Sequence, residues 1–449
     1  MKTSSVIFVL ALSALLSCFA LSVATAADCY LLSPGCLDAT FGTGTGKVLI
    51  NTDGNISSSL DLDSAKGVAI QADGKILAAG ETTLPGNIYK FVVVRVNADG
   101  SLDPTFGGTG MVTTSFSSGS DRAYAVALQS DGKIVVAGTA SAGSRIIFAV
   151  ARYNQLDGSL DATFGSGGKT TVSFGSNPQT GDTEARSIAI QPDGKIVVAG
   201  FTGSSGALAR LNSNGSLDTS FGGGGKVTSS ILGGPTVAVA LQPDGKMLLG
   251  GSTSTRKAGL NFAVLRYNAN GTVDTAFGSA GLATADFAGF DDRVRALAVD
   301  ANNNIVAAGY ARTSSGAVSS NFGVARFSPS GVLDSTFGTG GRVVTDVFGN
   351  WDDCYALVIE ANGKIIADGF SYGASGVQSY FTIVRYNTNG TLDGNFGAGG
   401  IVTTNMASGP DNFAYGLAIE SDGKIVAGGT ADTPNSNSGF YLALARYFP

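Results

Sequence analysis

Histidine is missing from all 449 residues. That absence removes Ser-His-Asp and Cys-His catalysis and every His-ligated metal site. Charge is thin as well: Asp, Glu, Lys and Arg make up 14% of the chain, the balance is −6, and no block is rich in lysine or arginine. Such a surface offers little to nucleic acid or to an anionic membrane. No convincing amphipathic helix appears anywhere. Beyond the N-terminal run Val6–Val23, no segment is long and apolar enough to span a bilayer. Tryptophan occurs once, at Trp351.

What the chain has in plenty is glycine, 65 residues of it, within a 43% apolar composition that argues against disorder. The glycines fall at turns between short strands. They belong to a repeat. The phrase Leu-Asp-x-x-Phe-Gly recurs at Leu37–Gly42, Leu102–Gly107, Leu160–Gly165, Leu217–Gly222, Val273–Gly278 (with Val for Leu), Leu333–Gly338 and Leu392–Gly397. A fixed period of roughly 60 residues means an array of small units that cannot bury their apolar faces alone.

The second unit shows how each is built. Gly110–Phe116 alternates, Ala123–Gln129 is nearly continuous apolar, Ser130-Asp131-Gly132 turns the chain, Lys133–Gly138 returns, and Ile146–Tyr153 follows a variable polar loop. These are four short strands. The turn suits a type I turn with a Gly bulge, and Asn302-Asn303-Asn304 in the fifth unit keeps it because Asn tolerates the left-handed region. Unbroken apolar runs in the middle strands mean burial on both faces. Repeated seven times, that describes propeller blades pressed between neighbours; a solenoid would want polar capping units, and none is evident. The first unit begins at its Leu-Asp-x-x-Phe-Gly phrase and the last stops inside its Ala-Arg-Tyr strand. The expected fold is therefore an all-β, seven-bladed propeller with four-stranded antiparallel blades, closed by an N-terminal strand joining the C-terminal blade. It occupies 37–449 as ~59-residue repeats, after a short segment at 27–36.

The phrases LDxTFGxGG, IQxDGKIVVAG and FAVARYNxDGSLD resemble the delta-60 repeat, a domain of unknown function assigned to β-propellers. The likeness covers nearly all of Cys36–Pro449. It is loosest in the fourth unit, where Gly233–Val239 lacks the acidic residue, and in the fifth, where Asn302–Asn304 replaces Asp-Gly-Lys. The strand order is also similar to that of NHL-type propellers, which implies that Ala123–Gln129 is innermost. The resemblance implies secretion or surface exposure and brings no catalytic residues.

Lys2, the run Val6–Val23 and Ala24-Thr25-Ala26 spell a secretory leader cleaved before Ala27. The alternatives are an uncleaved anchor and a lipoprotein box at Leu15-Leu16-Ser17-Cys18. Cys29 and Cys36 flank a short loop and could pair in an oxidising compartment, while Cys354 reads as a buried thiol.

Two charged series recur with the repeat: Arg95, Arg152, Arg210, Arg266, Arg326, Arg385 and Arg446, and Asp38, Asp103, Asp161, Asp218, Asp274, Asp334 and Asp393. Seven of each suggests one structural clasp per blade rather than seven anion sites, since an arginine fork suits a carboxylate. The run Asn97-x-Asp99-Gly100-x-x-Asp103 lacks the ligand spacing of a calcium loop and reads as a polar turn.

Binding is generally carried by variable loops on a rigid scaffold. The Asp-Gly-Lys hairpins share one face; the loops before the innermost strands and loops such as Thr139–Ile147 share the other. On that variable face, acids enter the inner strand at Asp63, Asp121, Asp182, Asp291 with Asp292, Asp352 with Asp353, and Asp411. They would either ring the channel mouth or cap the entry to each strand. Trp351 beside Asp352 and Asp353 is a combination able to grip a sugar ring or a cation, or else a rim residue packed between blades. The candidate ligand-binding set is therefore Trp351, Asp352, Asp353, Asp292, Asp121, Asp63 and Asp411. No cofactor is implied, with Ca²⁺ the ion such carboxylates would admit. The expectation is a secreted or periplasmic binding module for a protein or carbohydrate, with no nucleic acid and no membrane insertion after leader cleavage. The alternatives are a carboxylate- or Ca-dependent hydrolase or lyase acting at the channel mouth, and a structural surface protein.

Overall fold

The computed structural model describes residues 33–52, 62–175, 183–233, 238–254, 259–315, 320–433 and 439–449. The leader, Cys29 and Asp182 lie outside them, so the Cys29–Cys36 pairing does too. Cys36 and Cys354 are both buried.

Blade 2 represents the rest. Its strands Asp121–Leu128, Ile134–Ala142, Arg145–Tyr153 and Lys169–Val172 pair antiparallel in sequence order. Seven such four-stranded sheets occur among the described residues. The innermost strands of blades 1 to 7 are Ser64–Ile70, Asp121–Leu128, Thr183–Ile190, Ala238–Leu241, Asp292–Val299, Asp352–Ile359 and Asn412–Ile419. Each packs on the next, and Asn412–Ile419 packs on Ser64–Ile70 to complete the ring. The seventh sheet takes its outermost strand, Lys47–Ile50, from the other end of the chain, paired to Phe440–Tyr447. The expected architecture and closure are those observed.

The unbroken apolar runs follow from this stacking. In blade 2, Ile134 and Val136 join Leu77, Phe91 and Val93 of blade 1 in one core. Val135 and Ala137, from the same strand, join Ile196 and Val198 of blade 3 in another. Alternate residues serve two different interfaces, so both faces of the strand favour apolar side chains. The Ser130-Asp131-Gly132 hairpin closes with Gly132 N–H donating to the Gln129 carbonyl at 2.9 Å. Gly132 has φ +81°, and Asn303 holds the same place in blade 5 at +61°, as the tolerance of Asn predicts.

The paired charges form the clasp. Each arginine Nε donates to its aspartate Oδ2 at 2.7–2.9 Å in all seven copies. Each guanidinium also lies 4.3–4.8 Å from the ring centre of the buried Phe of Leu-Asp-x-x-Phe-Gly. Arg210 and Arg266 reach on to the Ala269 and Pro329 carbonyls of the following blade at 2.5 Å. The clasp therefore bolts neighbouring sheets together as well as closing its own. Arg446 and Asp38 make the same pair across the ring closure.

Candidate functional site

Polar side chains concentrate at one place in the otherwise apolar inner strands. Six of these strands slip register by one residue, between Ala65/Gly67, Ala123/Ala125, Ala185/Ser187, Val294/Ala296, Cys354/Ala356 and Ala414/Gly416. A β-bulge leaves its extra residue unpaired and re-aims that side chain. The extra residues are Lys66, Tyr124, Arg186, Arg295, Tyr355 and Tyr415. All six line one cavity of about 410 Å³, together with Glu81 and Arg122. The corresponding residue of blade 4, Val237, lies outside the described residues.

The electrostatics of this cavity are unlike those of the rest of the chain. Arg122 pairs with Glu81 and Arg295 with Asp353, each at 3.2 Å, and Arg186 pairs with Glu184. Lys66 makes no ion pair among the described residues; its ammonium stands 3.5 Å from the ring centre of Tyr415. Arg186 and Arg295 lie over Tyr124 and Tyr355 at 4.0 and 4.7 Å, so each cation meets a π face. Burial, opposed by the Glu81 charge and reinforced by Arg186 and Arg122, lowers the Lys66 amine to about 8. The Nε atoms of Arg186 and Arg295 are buried without a hydrogen-bond acceptor among the described residues. A buried donor left open in this way calls for a ligand or ordered water.

Four of the aspartates singled out from the sequence, Asp63, Asp121, Asp292 and Asp352, are engaged by backbone N–H groups. Asp121 is fully buried: its Oδ2 accepts Phe116 N–H at 2.9 Å and pairs with Lys90 at 3.0 Å, and its Oδ1 accepts Ser141 N–H at 3.3 Å. Asp292 accepts the N–H groups of Phe287 and Arg312 at 3.1 and 3.0 Å. Asp352 accepts Val347 N–H at 3.0 Å, and Asp63 accepts Thr52 N–H. Each ties the incoming loop to its own inner strand, which is the strand-entry cap. Blade 7 uses Asn412 there, accepting Ala407 N–H at 3.1 Å. With no ion pair among the described residues, burial pushes the carboxyls of Asp292 and Asp352 up to about 7. Asp291 accepts Leu260 N–H at 2.9 Å, and Asp411 is half-buried beside Tyr372. Among the described residues no three acidic or cysteine side chains stand close enough to hold a metal ion. The Asn97–Asp103 run is a turn in which Asp99 accepts Ser101 N–H at 2.9 Å.

Of Trp351 and Asp353, only Asp353 contacts a residue that lines the cavity. Asp353 turns to Arg295, and burial raises its carboxyl to about 6 against the pull of that charge. Trp351 is 44% exposed and packs on Phe370 and Tyr372, 5.9 Å from each. The bulge residues themselves were missed. Their signal is nonetheless in the sequence: within a repeated small-x-small-apolar phrase, the x is Lys66, Tyr124, Arg186, Val237, Arg295, Tyr355 or Tyr415. A large, changing, mostly polar residue inside a constant apolar strand must face something other than a neighbouring blade.

The DUF5122 β-propeller, described as a domain of unknown function, matches residues 71–106, 129–164, 191–221, 242–277, 301–337, 360–396 and 420–449. The chain has no match among curated proteins. Similar solved structures include a protein of unknown function from Bacteroides caccae (14% identity, 75% of this chain and 99% of that one, TM-score 0.41). Another is Sqt1 from Chaetomium thermophilum bound to the N-terminus of ribosomal protein L10 (13%, 88% and 98%, 0.40). A third is the β-propeller domain of the Trilobed protease from Pyrococcus furiosus (11%, 84% and 94%, 0.40). Likenesses this distant say nothing of function.

Proposed function

This chain belongs to the DUF5122 β-propeller family, and from that premise we propose that it is an exported binding module that takes an anionic ligand into its central channel. The bulge ring carries this reading. Framework positions repeat from blade to blade, while the bulge position that opens on the channel varies, with Lys66, Arg186 and Arg295 set against three tyrosines around a cavity of about 410 Å³. Guanidinium forks, and an ammonium that makes no ion pair among the described residues, are suited to carboxylate or phosphate. The volume is that of a small-molecule site. Each channel carboxylate is already engaged by an arginine, Glu81 by Arg122, Glu184 by Arg186 and Asp353 by Arg295, which favours recognition over general acid–base chemistry. Export rests on Lys2, Val6–Val23 and Ala24-Thr25-Ala26, in keeping with the delta-60 likeness.

Calorimetric titration of the exported chain with inorganic phosphate, galacturonate and glucose tests the reading. The two anions are expected to bind and glucose not to, with binding weakened by added salt and lost in Lys66→Met/Arg186→Met while the melting temperature holds. Equal binding of glucose, or anion binding indifferent to the double variant, would remove the channel from the account. N-terminal sequencing of the mature protein is expected to begin at Ala27.

A further inference from the structure

The channel wall is divided by chemistry. Its cations come from blades 1, 2, 3 and 5, as Lys66, Arg122, Arg186 and Arg295. Blades 6 and 7 supply an aromatic strip instead. From Trp351 the contact runs to Phe370 and Tyr372. Phe370 meets Phe413 at 4.7 Å and Tyr355 at 6.0 Å, and Tyr355 meets Tyr415 at 5.0 Å. Of the strip, Tyr355 and Tyr415 line the cavity, and register relates Phe370 and Phe413 to positions that line it in other blades. Phe370 pairs with Asp353 as Glu81 pairs with Ser64, and Phe413 pairs with Thr430 as Arg122 pairs with Thr139. Glu81 and Arg122 line the cavity, so Phe370 and Phe413 hold the equivalent places two blades wide. At its inner end the strip touches the cations directly, Tyr355 under Arg295 and Tyr415 under Lys66. At its outer end is the half-exposed Trp351.

A ligand that used the whole arrangement would carry flat apolar faces along its length and anionic groups at its inner end. We infer that the ligand is an acidic oligosaccharide, with sugar rings lying on the strip from Trp351 inward and carboxylates held by Lys66, Arg186 and Arg295. This rests on the anion-site reading above and specifies its chemical class. The C–H face of a pyranose stacks on an aromatic ring while its hydroxyls stay solvated at the rim, and a uronate carboxylate fits the guanidinium fork. A phosphate ion would use the cations and leave the strip idle; a neutral glycan would do the reverse.

The test compares galacturonate, its linear trimer, maltotriose and inorganic phosphate on the wild-type chain, Trp351→Ala and Lys66→Met/Arg186→Met. The trimer is expected to bind about tenfold more tightly than the monomer. Trp351→Ala should erase that gain and leave monomer and phosphate affinities unchanged; the double variant should abolish all three. Because Trp351 is the only tryptophan, its fluorescence should change with the trimer and not with phosphate, a readout that needs no variant to fold. A trimer no tighter than the monomer, or a silent Trp351, overturns the oligosaccharide inference while the anion site stands. Maltotriose binding as well as the acidic trimer also overturns it. Failure of every anion to bind overturns both.

Discussion

Asp103 and Asp353 each sit against an arginine, at 2.7 and 3.2 Å, yet their carboxyls move in opposite directions. Burial opposes ionisation at both. At Asp103 it is outweighed by hydrogen bonds from Thr105 and Lys75 and by the Arg95 charge, which hold the carboxyl well below the usual range. At Asp353 the Arg295 charge does not offset burial, and the carboxyl rises to about 6. Asp368 completes the series. It is fully buried in blade 6, where blades 2, 3 and 5 have Ala137, Ala199 and Ala308. Among the described residues it makes no ion pair, and burial pushes it well above the usual value. A buried ion pair is thus as strong as its remaining hydrogen bonds make it. The clasp, repeated in every blade, has them; the channel pair, unique to one, leaves capacity for a ligand.

The sharpest way to break this comparison is to delete an acid from each setting. Asp161→Ala strands Arg152 and Lys133 inside the blade and should cost about 3–5 kcal/mol. Asp353→Ala leaves Arg295 on Tyr355 at the cavity wall and should cost less than about 2 kcal/mol. Urea denaturation followed by tryptophan fluorescence measures both, and equal losses would abolish the distinction.

Asp368→Ala should move the other way and stabilise by about 1–3 kcal/mol, the penalty of a buried group without a partner. The pH dependence follows from the raised carboxyls. In the folded protein they hold a proton that the unfolded chain releases near its ordinary value of 3.8. Their contribution is present below about pH 4 and is lost as pH rises through the folded values, about 6 for Asp353 and about 7 for Asp292 and Asp352. Melting temperature should therefore fall between pH 4 and 7, and less steeply in Asp368→Ala. A parallel pH profile in the variant would mean that Asp368 is already satisfied.

The smallest effect comes from blade 5. Elsewhere the lysine of Asp-Gly-Lys joins the clasp, as Lys133 joins Asp161 at 2.9 Å; here Asn304 stands instead, and the Asp334 side chain is 19% exposed against 6% for Asp161. Asn304→Lys should restore the third charge and add less than about 1 kcal/mol, an increment that high salt should erase. Differential scanning calorimetry at two ionic strengths checks it.

Most of the fold was legible in the sequence because burial on both faces leaves a mark that repetition amplifies. The unbroken run of Lys133–Gly138 and the constant Arg and Asp series could only serve sheets stacked on both sides and clasped at one end. The channel was not legible by the same means. Acids such as Asp121 and Asp292 read either as channel ligands or as strand-entry caps; their short side chains turn back to cap backbone N–H groups, and a sequence does not say which way a carboxylate turns. The bulge was hidden for a related reason. One extra residue changes where Tyr124 or Arg186 points without altering the count of apolar residues around it. Trp351 was read as either a ligand-gripping or a rim-packing residue, and the neighbours it packs on, Phe370 and Tyr372, lie some twenty residues away across a hairpin.

The pairing of Lys47–Ile50 with Phe440–Tyr447 also sets the order of events in folding. Six sheets are each assembled from a continuous stretch of chain and can form as it emerges. The seventh must wait until strands almost four hundred residues apart have both been delivered, a contact of very high sequence separation that is slow to find. Until then the strand ending at Tyr447 has an unpaired edge, open to any other extended segment, including Lys47–Ile50 of a second chain.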